Sequence, residues 1–272
     1  QGGKVATRGE AIFGQATYEI TDTTKLIVGA RYSWERRTLK DAIGGLDLLT
    51  PAYTPGYVLP AGIGAKVSYR NFSPRVTLEQ KLGDDAMIYA TYAKGFKAGG
   101  FNVAQPPSSY QPENVTNYEA GFKTDLFDRK LRLNGAGFYY DYKDLQTLTI
   151  VVGPGGAGSV NVNATAEVYG AEVELNAVPV EGLELDAAAA LIHGEFTLGN
   201  LDGERLPYMP SFTLSYGAQY TFPTSIGDIT IRGDGQTKGK TYFDNINNPL
   251  NSQDTYSILN ASIGWKDAND RF

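Results

Sequence analysis

The sequence predicts an all-β protein, an antiparallel transmembrane β-barrel of which about eleven strands are present. Three observations carry that expectation. Segments of about ten residues alternate apolar and polar side chains with period two, the spacing of a strand with two unlike faces. The connections alternate between short turns and long Gly/Pro-rich stretches, as a barrel with one plain and one elaborate rim requires. Gly (32) and Tyr (18) are abundant, which suits strands and aromatic belts. A mean hydropathy of -0.28 taken alone points to a soluble protein. In a barrel, however, only alternate residues meet lipid, so the average is diluted. No run approaches the ~20 apolar residues that a membrane-spanning helix needs.

Taken in order, Ile12 to Ile20 turns through Thr21-Asp22-Thr23 into Lys25 to Arg37, where Leu26, Val28, Ala30, Tyr32 and Trp34 share a face. A long connection, Leu39 to Ser68, leads to Phe72 to Leu82. The Gly83-Asp84-Asp85 turn delivers the stretch from Ala86 to Phe101, with Ile88, Ala90, Tyr92 and Phe96 opposite Tyr89, Thr91, Ala93 and Lys97. After the second long connection, Gly99 to Glu113, comes Asn114 to Leu126. The turn at Phe127-Asp128-Arg129 opens Leu131 to Ile150, which sets Ala136, Phe138, Tyr140 and Tyr142 on one side. Its first residues fit that face poorly, so a bulge or a switch of faces is expected there.

The segment from Gly153 to Ala166 is long and uncharged and reads as a third connection. Val168 to Val178 follows, then Pro179 to Gly182 as a turn, then Leu183 to Phe196. Leu198 to Pro210 is the fourth long connection. Phe212 to Phe222 alternates without an error, and Ser225-Ile226-Gly227 turns into Ile229 to Tyr242. The fifth connection, Phe243 to Asp254, leads to Tyr256 to Trp265, with Leu259, Ala261, Ile263 and Trp265 on its apolar side. Lipid tolerates no open strand edge, and bacterial single-chain barrels have even strand numbers, so eleven strands imply a piece of a larger barrel.

Composition excludes several function classes. Cys 0 removes disulfides and thiolate metal sites. A net charge of -6 and a pI near 4.9 would repel phosphodiester backbones, and no basic patch offsets them, so no nucleic-acid partner is expected. No apolar leader opens the sequence. His193 is the only histidine, which leaves neither a Ser-His-Asp arrangement nor a His cluster for a metal. The GFKAGG run over 95–100 lacks the following helix that a phosphate cradle needs. Neither an enzyme nor a cofactor is expected.

Several stretches resemble the TonB-dependent receptors, which import scarce nutrients across the Gram-negative outer membrane. YATYAKGFKAGGFN resembles a mid-barrel strand of that family. PENVTNYEAGFKTDLFDRKLRLNGAGFYYDYKDLQ, AEVYGAEVELNAVPVEGLELDAA and LPYMPSFTLSYGAQYTF follow in the family's order, and IFGQATYEITDTTKLIVGARYSWE and YSILNASIGWKD extend the likeness over nearly the whole chain. The resemblance implies a barrel of about 22 strands with a plugged lumen. It implies that residues 1–272 are part of that barrel, with the plug domain, the TonB-contacting box and the final strands outside this sequence.

On that reading the function is import of a ferric siderophore through TonB-driven movement of the plug, with a passive porin-like channel or a soluble β-rich binding module as alternatives. Partners would be the TonB complex, outer-membrane lipid and a small-molecule ligand such as a metal chelate. Binding residues concentrate on connections held by a rigid scaffold, so Tyr53, Tyr57, Lys97, Phe101, Asn102, Tyr110, Tyr208 and Phe243 are the expected ligand-facing set. Arg75, Glu79, Asn117, Glu119, Lys123, Glu172 and Glu174 are expected to face the lumen and plug. Across the five long connections Lys40, Lys66 and Arg205 stand against Asp41, Asp47, Glu113, Asp202, Glu204, Asp244 and Asp254, which argues against a highly anionic ligand.

Overall fold

The computed structural model describes residues 2–43, 66–102, 108–153 and 156–268. It begins with four long strands: β1 (Gly2–Glu19), β2 (Thr24–Ile43), β3 (Lys66–Lys81) and β4 (Ala86–Lys97). A short hairpin of β5 (Gly100–Asn102) and β6 (Ser108–Tyr110) lies in the next connection. The wall continues through β7 (Glu113–Leu126), β8 (Leu131–Gly153), β9 (Gly156–Ala177), β10 (Leu183–Phe196), β11 (Phe212–Thr224) and β12 (Gly227–Lys238). A second small pair, β13 (Thr241–Tyr242) and β14 (Ser252–Gln253), precedes β15 (Tyr256–Asp267). The eleven long strands form one sheet in the order β1-β2-β3-β4-β7-β8-β9-β10-β11-β12-β15, each neighbour antiparallel to the last.

The expected strands are therefore present, with three differences. The segment read as a third long connection is strand: β8 and β9 pair continuously out to Gly153 opposite Gly156. The run carries no charge and supplies Val160, Val162 and Ala164 to pair with Thr149, Thr147 and Leu145, a β-branched and apolar match that favours a pleated ladder. The irregularity of β8 falls between Tyr142 and Leu145, where Asp144 takes φ 56, instead of at the strand's start. Finally β12 ends at Lys238, and Tyr242 belongs to a separate two-stranded pair.

Register fixes which side chains share a face, because paired residues project the same way. Val28, Val76 and Tyr92 lie in one row, and Tyr216, Gly235 and Leu259 in another. On this face large apolar groups are exposed: Ile12, Phe72, Leu191 and Ile263 each leave more than half their surface uncovered. An apolar face of that extent requires a partner, and a bilayer supplies one. Rings also run along the hydrogen-bond direction, Tyr92 to Tyr118 to Tyr139 to Tyr169 to His193 across five strands. Tyr169 and His193 stack with centroids 4.9 Å apart, and His193 Nε2 lies 2.9 Å from Glu195 Oε2. The only histidine thus ends an outward-facing aromatic row near the end of its strand.

The opposite face is polar along its lower half and apolar at one place near the long connections. There Ala166, Val168, Phe196 and Leu206 are buried, with Phe138, Tyr140, Tyr142, Ile192 and Met209 packed around them. The face of β8 bearing Ala136, Phe138, Tyr140 and Tyr142 consequently points inward, and Leu131 and Leu133 share the outward face with Tyr139. The connection from β10 to β11 folds down over this patch. Gly194 permits the close approach, since a Cβ there would meet Met209 Sδ at 2.5 Å.

Candidate functional site

Register sets Arg75, Glu79, Asn117, Glu119, Lys123, Glu172 and Glu174 on the face opposite the exposed apolar one. Glu79 is in register with Tyr89, and Tyr89 with Gly121; Arg75 leads through Ala93 to Asn117; Lys123 leads through Asn134 to Glu174. The two-residue period places Glu119 and Glu172 on the same side. Tyr89 donates its hydroxyl proton to Glu119 at 2.9 Å, and Asn134 donates to Glu174 at 3.4 Å. Tyr89, Lys123, Glu172 and Glu174 line a cleft of about 370 Å³ in this wall. Arg75, Glu79, Lys123 and Glu172 make no ion pair among the described residues, and Asn117 Oδ1 is buried with no donor. An orphan acceptor of this kind costs about 1–3 kcal/mol unless something outside the strand meets it.

Farther along the same face is an ion triplet that sequence reading missed. Arg232 lies 2.9 Å from Asp186 and 3.4 Å from Asp234. Gly217 makes room for it, because a Cβ there would meet both the guanidinium and the carboxylate at 2.6 Å. Their spacing in sequence gives no sign of this contact; only the register of three strands brings them together.

At the outward end the connections form a layer bound together by amide side chains. Asn102 donates to Asn161 O and accepts from Asn161 N–H, both at 2.8 Å. Asn247 does the same with the backbone of Arg205, at 2.9 and 2.8 Å. Asn163 accepts from Gln111 N–H at 2.7 Å and donates to Gln111 O at 3.1 Å. Each asparagine thereby imitates one rung of a β-ladder and satisfies backbone groups that a loop would otherwise leave to water. Asn245 accepts from Thr147 Oγ1 and donates to Leu148 O.

Leu148 and Asn161 are register partners in the β8–β9 hairpin. One binds the connection that follows β12, the other the connection that follows β4. Those strands stand six places apart in the sheet order, roughly 29 Å if the sheet were flat. The hairpin stands between them in the sheet order and ties both connections together.

Of the expected ligand-facing residues, Tyr53 and Tyr57 lie outside the described residues. Lys97 forms an ion pair with Glu113 at 3.6 Å. Phe101 and Asn102 are buried in β5, with Asn102 fully engaged, and Tyr110 lies opposite Gly100 in β6. Tyr208 and Phe243 are open, their rings 5.7 Å apart. Both line a cleft of about 750 Å³ bounded by the outer half of β8 and the connections after β10 and β12. Tyr142, Leu145, Leu206 and Met209 form its apolar floor. Sequence reading missed these four as site residues; for Tyr142 and Leu145 the signal available was the out-of-step apolar alternation of β8, and for Leu206 and Met209, in the connection after β10, there was none.

Residues 2–271 match the family model described as TonB dependent receptor-like, beta-barrel. The chain belongs to that family. Members of the TonB-dependent receptor family are outer-membrane proteins of Gram-negative bacteria. Among curated relatives, the pesticin receptor of Yersinia enterocolitica is 25% identical over 262 residues, covering 94% of this chain and 36% of the relative. The ferric-pyoverdine 358 receptor of Pseudomonas putida is 24% identical over 267 residues, 96% of this chain and 30% of the relative. This chain therefore spans about a third of their length. The ferric yersiniabactin uptake receptor of Yersinia pestis superposes with a TM-score of 0.77 at 22% identity, over 98% of this chain and 39% of that one. The copper transporter OprC superposes with a TM-score of 0.75 at 15% identity, over 94% of this chain and 40% of that one. At those identities the likeness is one of fold: a TonB-dependent receptor barrel of which this chain forms eleven strands.

Proposed function

We propose that this chain is barrel wall from a receptor that captures a metal chelate, first of all a ferric siderophore, and passes it inward when TonB-coupled energy moves a plug. The supporting observation is that the chain aligns over more than nine-tenths of its length with receptors named for pesticin and for ferric pyoverdine. The cleft walled by Tyr208 and Phe243 has the size and apolar floor of a small-molecule site. The acid-rich connections favour a neutral or cationic chelate over a highly anionic one. Arg75, Glu79, Lys123 and Glu172, together with the orphan acceptor of Asn117, offer a polar wall for a plug supplied by residues outside this sequence. No chemistry on the ligand is involved.

The test is uptake of a panel of radiolabelled ferric siderophores by iron-starved cells, with the gene intact, with it deleted and with TonB deleted. One chelate is expected to lose uptake in both deletion strains. Uptake that survives TonB deletion but still needs the gene would favour the passive channel. A panel on which the gene deletion has no effect would overturn the siderophore assignment.

A further inference from the structure

On the lipid-facing side, three arginines from adjacent strands gather within two residues of one height. Arg8 of β1 is in register with Arg36 of β2, and Arg70 of β3 is opposite Trp34, two residues below Arg36. All three are exposed, and with Trp34 and Glu10 they border a surface cleft of about 360 Å³. Glu10 holds Arg8 through two hydrogen bonds, at 3.0 Å to Nε and 2.7 Å to Nη2. Arg36 and Arg70 make no ion pair among the described residues. Two guanidinium groups with no ion pair among the described residues, beside a third, are notable in a chain whose net charge is -6.

Height decides what they meet. A strand tilted by roughly 40° climbs about 2.5 Å per residue. Arg8 stands eleven residues above Glu19, Arg36 twelve above Thr24, and Arg70 eleven above Lys81, each counted from the short-turn end of its strand. That is about 28–30 Å, just above an apolar band about 25 Å tall. Trp34 stands level with Arg70 and Tyr32 just beneath it, the two rings in edge contact at 4.7 Å, the ring layer expected at the interface. The arginines thus stand at the headgroups of the outer leaflet.

We infer that Arg8, Arg36 and Arg70 form a binding site for a phosphorylated lipid headgroup of the outer leaflet. Guanidinium forks match phosphate oxygens two at a time, and they are less strongly hydrated than ammonium groups, so arginine suits an interfacial phosphate. Trp34 offers an apolar wall to the first carbons of the acyl chains. Glu10 fixes Arg8 and leaves Arg36 and Arg70 as the principal phosphate donors. The inference rests on the outer-membrane assignment and is independent of which ligand is imported.

The experiment is native mass spectrometry of the full-length receptor released from nanodiscs containing bisphosphorylated lipid A. Dephosphorylated lipid A and phosphatidylcholine are the lipid controls. The wild-type protein should retain the bisphosphorylated lipid and neither control. An Arg36→Gln/Arg70→Gln variant should lower retention about tenfold. Arg129→Gln, at a turn on the opposite membrane face, should leave it unchanged. Heat-modifiable migration on gels verifies that each variant is folded. Equal retention by the double variant and the wild type would overturn the site, as would equal retention of the dephosphorylated lipid. Loss of the lipid when inorganic phosphate is added at millimolar concentration would show a free-anion site, which also overturns the inference.

Discussion

β10 passes through two environments. Leu191 is 65% exposed on the lipid side, whereas Phe196, five residues farther out on the other face, is wholly buried. In the wall, apolar groups point outward and polar groups inward, and each face depends on something outside the chain. In the loop layer the order is reversed: Phe138, Tyr140, Ile192 and Phe196 point inward beneath Leu206 and Met209, and the chain supplies its own core. The barrel wall thus takes its hydrophobic stabilisation from lipid, and the mouth takes its own from packing. A mouth packed in this way holds its shape through contacts within the chain, which the wall below cannot do.

The largest effect should come from Phe196→Ala. Emptying a fully buried ring site costs about 3–5 kcal/mol, and it should free the β10–β11 connection from the wall. Urea unfolding from lipid vesicles would measure the cost, and limited proteolysis would detect cleavage between Leu198 and Pro210. Leu191→Ala, which exchanges one lipid contact for a smaller one, should cost less than half as much. Equal costs would erase the distinction between mouth and wall.

A charge placed in the wall comes next. Val76 faces lipid five residues above Lys81, about 12 Å up at 2.5 Å per residue and so near the bilayer midplane. Val76→Arg should destabilise by about 2–4 kcal/mol, read by the same unfolding experiment. The neighbouring Arg75 is tolerated because it points the other way, so a Val76→Arg protein as stable as the wild type would overturn the assignment of faces.

The wall was the part most legible in the sequence. Phe212 to Phe222 alternates without exception because one side meets lipid and the other meets the lumen along its whole length. Alternation alone gives the two faces but not which is which, and β8 exploits that ambiguity: Phe138, Tyr140 and Tyr142 look lipid-facing until register sets them opposite Glu119, Asn117 and Val115. The outer hairpin was hidden for a different reason. Glycine and asparagine in the stretch 153–166 are loop formers by local preference, and only cross-strand pairing of Val160 and Val162 overrides them. The asparagine clasps were not legible, since Asn102 and Asn161 are 59 residues apart and nothing in either neighbourhood marks them as partners.

Those clasps define the third comparison, polar attachment against apolar packing within the mouth. Asn102 is 6% exposed and makes three side-chain hydrogen bonds, two with Asn161 and one with Ser108. Asn102→Ala strands the backbone N–H and C=O of Asn161 and should cost about 1–3 kcal/mol. Asn102→Asp retains the acceptor for Asn161 N–H but loses the donor, so it should recover protection of that amide from hydrogen exchange while leaving the carbonyl unmet. Protection of the Asn161 amide unchanged in Asn102→Ala would show that the hairpin is held by packing alone.

The smallest effect concerns Asp244, which shapes the connection after β13. Its carboxylate accepts from Asn248 N–H at 3.0 Å and from Asn251 Nδ2 at 3.0 Å. These bonds, with the Asn248 amide foremost, hold its pKa below the ordinary aspartate value of 3.8. A carboxyl whose folded pKa is depressed contributes stability that is complete above its unfolded pKa and is lost as pH falls through the folded one. The turn should therefore keep its shape from neutral pH down to about pH 4 and loosen below it. Exchange protection of the Asn248 amide, corrected for the intrinsic rate, should fall over that acid range. Asp244→Asn keeps an acceptor for Asn248 but has no charge to lose, so its protection should be lower at neutral pH and flat into acid. A wild-type profile that is equally flat would mean that the turn is set by Asn248 capping the short helical turn Pro249–Asn251, with the carboxylate a bystander at the edge of the cleft.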